Sequence, residues 1–126
     1  MTGTRFVTTM TVKVLIVDDE PLVRMLAVDV VEEAGFEAVE ARDADEAIRL
    51  LEVVDGIRIL LTDVDMPGSM DGLRLAAAVR ERWPPIRIVV VSGKKRPAEE
   101  ALPDGIFFAK PYDVDKMTEQ LQKLAA

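Results

Sequence analysis

The chain has no cysteine and no histidine. Disulfides, thiolate metal sites, zinc centres and histidine-based catalytic triads are therefore closed to it, and any chemistry must come from carboxylates, hydroxyls and lysines. Positive charge is short as well: 16 lysines and arginines face 23 acidic residues, a formal net charge of -7. That balance opposes binding to nucleic acid or to an anionic membrane, both of which attract proteins through a positive field. A protein is the expected partner. The basic stretch GKKR at 93–96 is small enough to read as a solvated loop. No apolar run approaches the roughly 20 residues that cross a bilayer. The opening MTGTRFVTTMT has no hydrophobic signal core, so the expected location is the cytoplasm. Linkers, internal repeats and low-complexity tracts are also missing. At 126 residues the chain is one domain's worth. It divides into an N-terminal extension at 1–11 and a folded unit at 12–126.

What the chain does have is alternation. VKVLIVD at 12–18 is rich in β-branched residues and ends abruptly in acid, as a strand buried on both faces does. EPLVRMLAVDVVEEAG at 20–35 sets Leu22, Met25, Leu26, Val30 and Val31 at helical spacing, with Pro21 in the first turn and Gly35 as the stop. FEAVEA at 36–41 alternates like an edge strand. The next helix, Ala44 to Val54, carries Ala47, Ile48, Leu51 and Val54 on one face. IRILLTD at 57–63 is a third strand, and a helix from about Leu73 to Trp83 is ended by Pro84 and Pro85. IRIVVVSG at 86–93 and IFFAKP at 106–111 read as strands four and five. Val114, Met117, Leu121 and Leu124 mark a last amphipathic helix. Between strands four and five, KKRPAEEALPDG has so few residues between its prolines that one loose turn is expected.

Strands alternating with helices at this spacing predict an α/β fold, a parallel sheet with helices on both faces. In such sheets the carboxyl ends of the strands share one edge, where ligands bind. The apolar runs deliver Asp18 and Asp19, Asp63, Ser92 and Lys110 to that edge. Carboxylates brought that close repel one another and raise a pKa unless a cation sits among them. Oxygen donors without nitrogen or sulfur favour a hard ion, Mg²⁺ above all where phosphate oxygens complete the shell. Lys110 adds fixed positive charge, Ser92 a hydroxyl donor, and a carboxylate can itself attack phosphorus. Asp63 is the residue best placed for that attack.

VDDE (17–20), TDVDMPG (62–68), VSG (91–93) and AKP (109–111) occur in order along the chain. With them the sequence resembles the receiver domain of bacterial two-component response regulators, over essentially residues 12–126. No single motif is specific; the ordered set is. The resemblance implies a doubly wound, flavodoxin-like five-stranded parallel sheet of order 2-1-3-4-5. It implies that Asp63 accepts phosphate from a sensor histidine kinase or a phosphotransfer protein, and that Mg²⁺ is held by Asp18, Asp19, Asp63 and the backbone carbonyl of Asp65. Ser92 becomes the switch hydroxyl, Lys110 the active-site lysine, Phe107 the switch aromatic and Pro111 a cis-linked proline. Asp65 and Lys94 become the residues that tune phosphoryl lifetime, expected on opposite flanks of the site mouth, where an ion pair could obstruct water.

Two departures from the family bear on output. PGSMDG after Met66 is one residue longer than the common form, and the fourth crossover helix is expected to be short or irregular. The family's output face, built from that helix, strand five and the last helix, would then be partly loop. The chain would act by docking on another protein or by draining phosphate from a shared relay, alone or as the end of a hybrid kinase. It would not be an enzyme beyond self-phosphorylation from small donors and autodephosphorylation. Two other readings stand beside this one. LLTDVDMPG also fits the start of the haloacid-dehalogenase phosphatase pattern, but Pro67 and the lack of a later acidic pair speak against it. A receiver-like binding module that is never phosphorylated would not need the full set of Asp18, Asp19, Asp63, Ser92 and Lys110. Taken singly, the Asp18–Asp19 pair is equally a helix cap, Ser92 a strand-end hydroxyl and Lys110 a solvated charge.

A chain that begins at Met10 is expected to melt at the same temperature as the full chain, because MTGTRFVTT carries no periodic apolar pattern. A loss of several degrees in a thermal scan would show instead that the segment packs on the domain.

Overall fold

The apolar run after Val12 becomes β1 (Lys13–Val17), and each later run becomes the next strand: β2 (Glu37–Ala41), β3 (Ile57–Asp63), β4 (Arg87–Ser92) and β5 (Ile106–Ala109). The structure, a computed structural model, describes residues 11–68, 70–93 and 105–126. The strands form one sheet in the order β2-β1-β3-β4-β5, every neighbouring pair parallel. Between and after them lie α1 (Pro21–Glu33), α2 (Ala44–Val53), α3 (Gly72–Arg82) and α4 (Val114–Ala125). This is the expected doubly wound, flavodoxin-like arrangement. The stretch expected to hold a short or irregular crossover helix, 94–104, lies outside the described residues, as do 1–10.

Helices cover both faces of the sheet, so the central strands must be apolar along both edges of their pleat. β3 is buried at every position except Arg58. On one face Leu15, Val17, Leu60, Ile88 and Val90 pack against Ala44, Ala47 and Leu51 of α2 and Leu75, Ala76 and Val79 of α3. On the other, Val14, Ile16, Ile59, Leu61, Val89 and Val91 meet Ala27, Val30 and Val31 of α1 and Met117 and Leu121 of α4. β2 lies at the edge, and the expected alternation is not followed: Glu37 and Glu40 are exposed, Ala38 and Val39 are half-buried against the cores on opposite faces, and Ala41 is buried. Aspartates set the helix starts: Asp43, Asp71 and Asp113 each accept a backbone N–H three residues on, at 2.9, 3.0 and 3.0 Å. Among the described residues no helix is long and apolar enough to cross a membrane.

One expected helix face is corrected. Val30 and Val31 are buried, but Leu22, Met25 and Leu26 are 70%, 53% and 62% exposed. The helix carries two apolar stripes, and the one against the sheet runs Ala27, Val30, Val31, Ala34 at spacings of three and four residues. Its leading residue is a small alanine, which lets the helix lie close to the strands, and a pattern weighted by large side chains favours the wrong stripe. Val114 at the start of α4 is likewise exposed, while Met117 and Leu121 are fully buried.

Leu121→Ala is therefore expected to cost about 2–5 kcal/mol of folding stability, whereas Leu22→Ala should stay within about 0.5 kcal/mol. Urea midpoints of the two variants check this. Similar losses in both would contradict the assignment of the α1 faces.

Candidate functional site

Hydrogen bonds continue past the strand ends and fix the loops at the carboxyl edge. Asp18 donates its N–H to the Ala41 carbonyl at 3.1 Å, Val64 to Val91 at 3.0 Å and Lys110 to Ser92 at 2.9 Å. The parallel register places Asp63 beside Val91 and Ser92 beside Ala109. Asp18 and Asp19 from the β1 loop, Asp63 at the end of β3, Ser92 at the end of β4 and Lys110 after β5 thus gather at the expected edge. Asp18, Asp63 and Ser92 are buried, although all three are polar.

The carboxylates converge closely. Oxygens of Asp18, Asp19 and Asp63 all lie within 4.8 Å of one another. The Lys110 ammonium stands 3.3 Å from Oδ2 of Asp18 and 3.4 Å from Oδ1 of Asp63. The other oxygen of Asp18 accepts the Glu20 N–H at 3.0 Å. Helix capping accounts for only that half of Asp18, and Glu20, the residue that caps α1, makes no side-chain cap of its own. An open basin of about 430 Å³, lined by Asp19, Glu20, Asp63, Asp65, Gly93 and Lys110, lies above the carboxylates.

Burial pushes the Asp63 carboxyl above the ordinary aspartate value; Lys110 pulls it back and Asp18 pushes it further up. For Lys110, burial alone would lower the pKa, but the charges of Asp18 and Asp63 outweigh it and raise the value, so the ammonium keeps its proton across the neutral range. Tyr112, beside the cis peptide bond between Lys110 and Pro111, is raised chiefly by its burial. One ammonium among three carboxylates leaves an excess of negative charge. The set offers only hard oxygen donors, fully consistent with Mg²⁺ and poorly suited to a softer metal.

The partners in three contacts at the site cannot be read from the sequence pattern. Arg24 donates from Nη1 to the Asp18 carbonyl at 2.8 Å and from Nε to Oε1 of Glu40 at 3.1 Å, bracing the acidic loop against β2. Gly72 opens α3 hard against the end of β3: a Cβ there would collide with the backbone carbonyl of Asp63. A glycine straight after a capping aspartate hints at such a close approach, but not at its target. The third is the side chain of Asp65, whose Oδ2 accepts the Ser92 hydroxyl at 3.1 Å. Lys94, its expected counterpart, lies outside the described residues. Phe107 is half-buried against the core between the sheet and α2 and α3, and Phe108 faces the opposite core, its ring edge-on to Tyr112 at 6.1 Å. The two aromatic rings are split across the sheet.

A five-stranded parallel sheet with an acidic basin and one lysine at its carboxyl edge defines a class, and comparison with known proteins agrees on it. The model of the response regulator receiver domain matches residues 14–122. The chain is 32% identical over 118 residues to the chemotaxis protein CheY of Listeria monocytogenes, covering 90% of this chain and 98% of that one. It is also 31% identical over 119 residues to the sensor kinase CckA of Brucella abortus, 88% of this chain but only 12% of the kinase. Among solved structures, the response regulator TrrA of Thermotoga maritima, in complex with Mg²⁺ and BeF, superposes with a TM-score of 0.82 at 25% identity, covering 91% and 99% of the two chains. This chain belongs to the response regulator receiver domain family. Receiver domains are signalling phosphoacceptors that take phosphoryl groups from histidine kinases or phosphotransfer proteins and bind Mg²⁺ at an acidic pocket. That membership replaces the haloacid-dehalogenase reading.

The raised value for Asp63 fixes the sign of a stability effect. Its ionised form is disfavoured in the folded chain, so the contribution of Asp63 to stability is fully present below its unfolded value and is lost as pH rises through the folded value. Asp63→Asn removes that burden. Without divalent cations at neutral pH it should melt a few degrees higher than the wild type, and the gain should shrink as the pH is lowered. An equal or lower melting temperature at neutral pH would contradict the electrostatic account.

Proposed function

We propose that Asp63 accepts a phosphoryl group from the phosphohistidine of a sensor kinase or phosphotransfer protein, and that the phosphorylated chain signals by altered docking on another protein or serves as a phosphate sink. The observation that carries this is the Asp63 carboxylate standing at the floor of an open basin with Lys110 3.4 Å away. In the step, an Asp63 oxygen bonds to phosphorus, the bond from phosphorus to the donor's imidazole nitrogen breaks, and its electron pair returns to that ring. The product is an acyl phosphate. Mg²⁺, held by Asp18, Asp19, Asp63 and the Asp65 carbonyl, would supply charge neutralisation for the phosphoryl oxygens. Lys110 offers a fixed positive charge to the same oxygens. Ser92 supplies the hydroxyl that turns to the phosphoryl group, Phe107 the aromatic that follows it, and Asp65 with Lys94 tune how long the product lasts.

The donor must bring phosphorus to Asp63 and so must cover the rim of the basin. The exposed Leu22, Met25 and Leu26, in the first two turns of α1, give it an apolar surface beside that rim. A net charge of -7 fits a protein partner and a cytoplasmic setting, with no role for nucleic acid or membrane. The alternative of a receiver-like module that binds without phosphorylation is disfavoured by the complete set of Asp18, Asp19, Asp63, Ser92 and Lys110 at one edge.

Incubation with acetyl phosphate and Mg²⁺, read by intact mass, should show one phosphoryl group on the wild type and none on Asp63→Asn. Equal labelling of both would sink the assignment. In a calorimetric Mg²⁺ titration, Asp19→Ala should weaken binding by about tenfold or more; unchanged affinity would remove Asp19 from the metal set.

A further inference from the structure

The contact between Asp65 and Ser92 carries a consequence that rests on the phosphoacceptor reading of Asp63 and goes beyond it. Ser92 is almost wholly buried at the end of β4, and its hydroxyl donates to Oδ2 of Asp65 at 3.1 Å. Asp65 itself is exposed, on the loop after β3, and lines the basin together with Asp63 and Lys110. A hydroxyl has a single proton to donate. While Ser92 gives it to the Asp65 carboxylate, it cannot give it to a phosphoryl oxygen on Asp63. We infer that Asp65 is a positioning residue that latches the Ser92 hydroxyl in the resting protein, so that a phosphoryl group must win the hydroxyl from a carboxylate before the chain can switch.

The physical chemistry favours a genuine competition. A hydrogen bond to an ionised acceptor is stronger than one between neutral groups, and both competitors are anionic oxygens of similar reach. The phosphoryl group has more charge and more oxygens, so it can displace the carboxylate, but the difference is reduced by what Asp65 already provides. The latch therefore sets the resting population of the switched state and lowers the affinity for any phosphoryl mimic. Asp65 also reaches the site through its backbone, two residues after Asp63, so the same residue links the acceptor strand to the end of β4.

The test is a double-mutant cycle on beryllium fluoride binding to the full chain in saturating Mg²⁺, with wild type, Asp65→Ala, Ser92→Ala and the double variant. Removing the Asp65 charge next to an incoming anion will tighten binding in any background, so the informative quantity is the dependence on Ser92. Asp65→Ala should tighten binding about five- to tenfold more when Ser92 is present than when it is alanine. Asp65→Asn, which keeps an oxygen acceptor but loses the charge, should give an intermediate coupling to Ser92. The same tightening in both backgrounds would overturn the latch. Failure of the wild type to bind beryllium fluoride, or binding that survives Asp63→Asn, would instead overturn the phosphoacceptor reading beneath it.

Discussion

Everything at the carboxyl edge depends on the ammonium of Lys110 between Asp18 and Asp63. Like charges held within a few ångströms in a partly buried site repel strongly, and a single cation does not balance three carboxylates. Burial, with the charge of Asp18 adding to it, raises the Asp63 carboxyl against the pull of Lys110, so the acid resists ionising, while the charges of Asp18 and Asp63 raise Lys110 and keep its proton in place. The resting site is thereby left electrostatically unsatisfied. On the function proposed above, a divalent cation would relieve it, and with the cation bound a phosphoryl group would be accommodated as well. On that reading stability is given up locally in favour of binding.

The sheet makes such a cluster tolerable. Apolar packing on both faces holds the central strands rigid, and the parallel register leaves their ends in a row. Each charged or polar group is then the last residue of a strand, as Asp63 and Ser92 are, or one or two residues beyond it, as Asp18, Asp19 and Lys110 are. Backbone hydrogen bonds past the strand ends, together with Arg24 on the Asp18 carbonyl and Gly72 against the end of β3, leave the acidic loops little room to relax apart. The repulsion cannot be dissipated by local movement. On the proposed function it would persist as a bias toward cation binding.

Much of this could be read from the chain alone, for a physical reason. Buried parallel strands are continuous apolar runs, so their ends are visible where polar residues begin, and Asp18, Asp19, Asp63, Ser92 and Lys110 stand there. Pairs that depend on side-chain direction could not be read. The two apolar stripes of α1 are both at helical spacing, and nothing local says which one meets the sheet; the stripe led by Ala27 does. Arg24 and Gly72 act through backbone carbonyls, which carry no residue identity. Asp65 was legible as a carbonyl and as a rim residue, while the partner of its carboxylate, Ser92, became apparent only when the ends of β3 and β4 were set side by side.

The central claim is that the acidic basin is held in a state that a cation and a phosphoryl group together relieve. The most direct measurement is the melting temperature of the wild type and of Asp63→Asn in metal-free buffer, with Mg²⁺, and with Mg²⁺ plus beryllium fluoride. The account predicts stepwise stabilisation of the wild type and, for Asp63→Asn, a higher starting point with no step for beryllium fluoride. Equal steps in both proteins would contradict it.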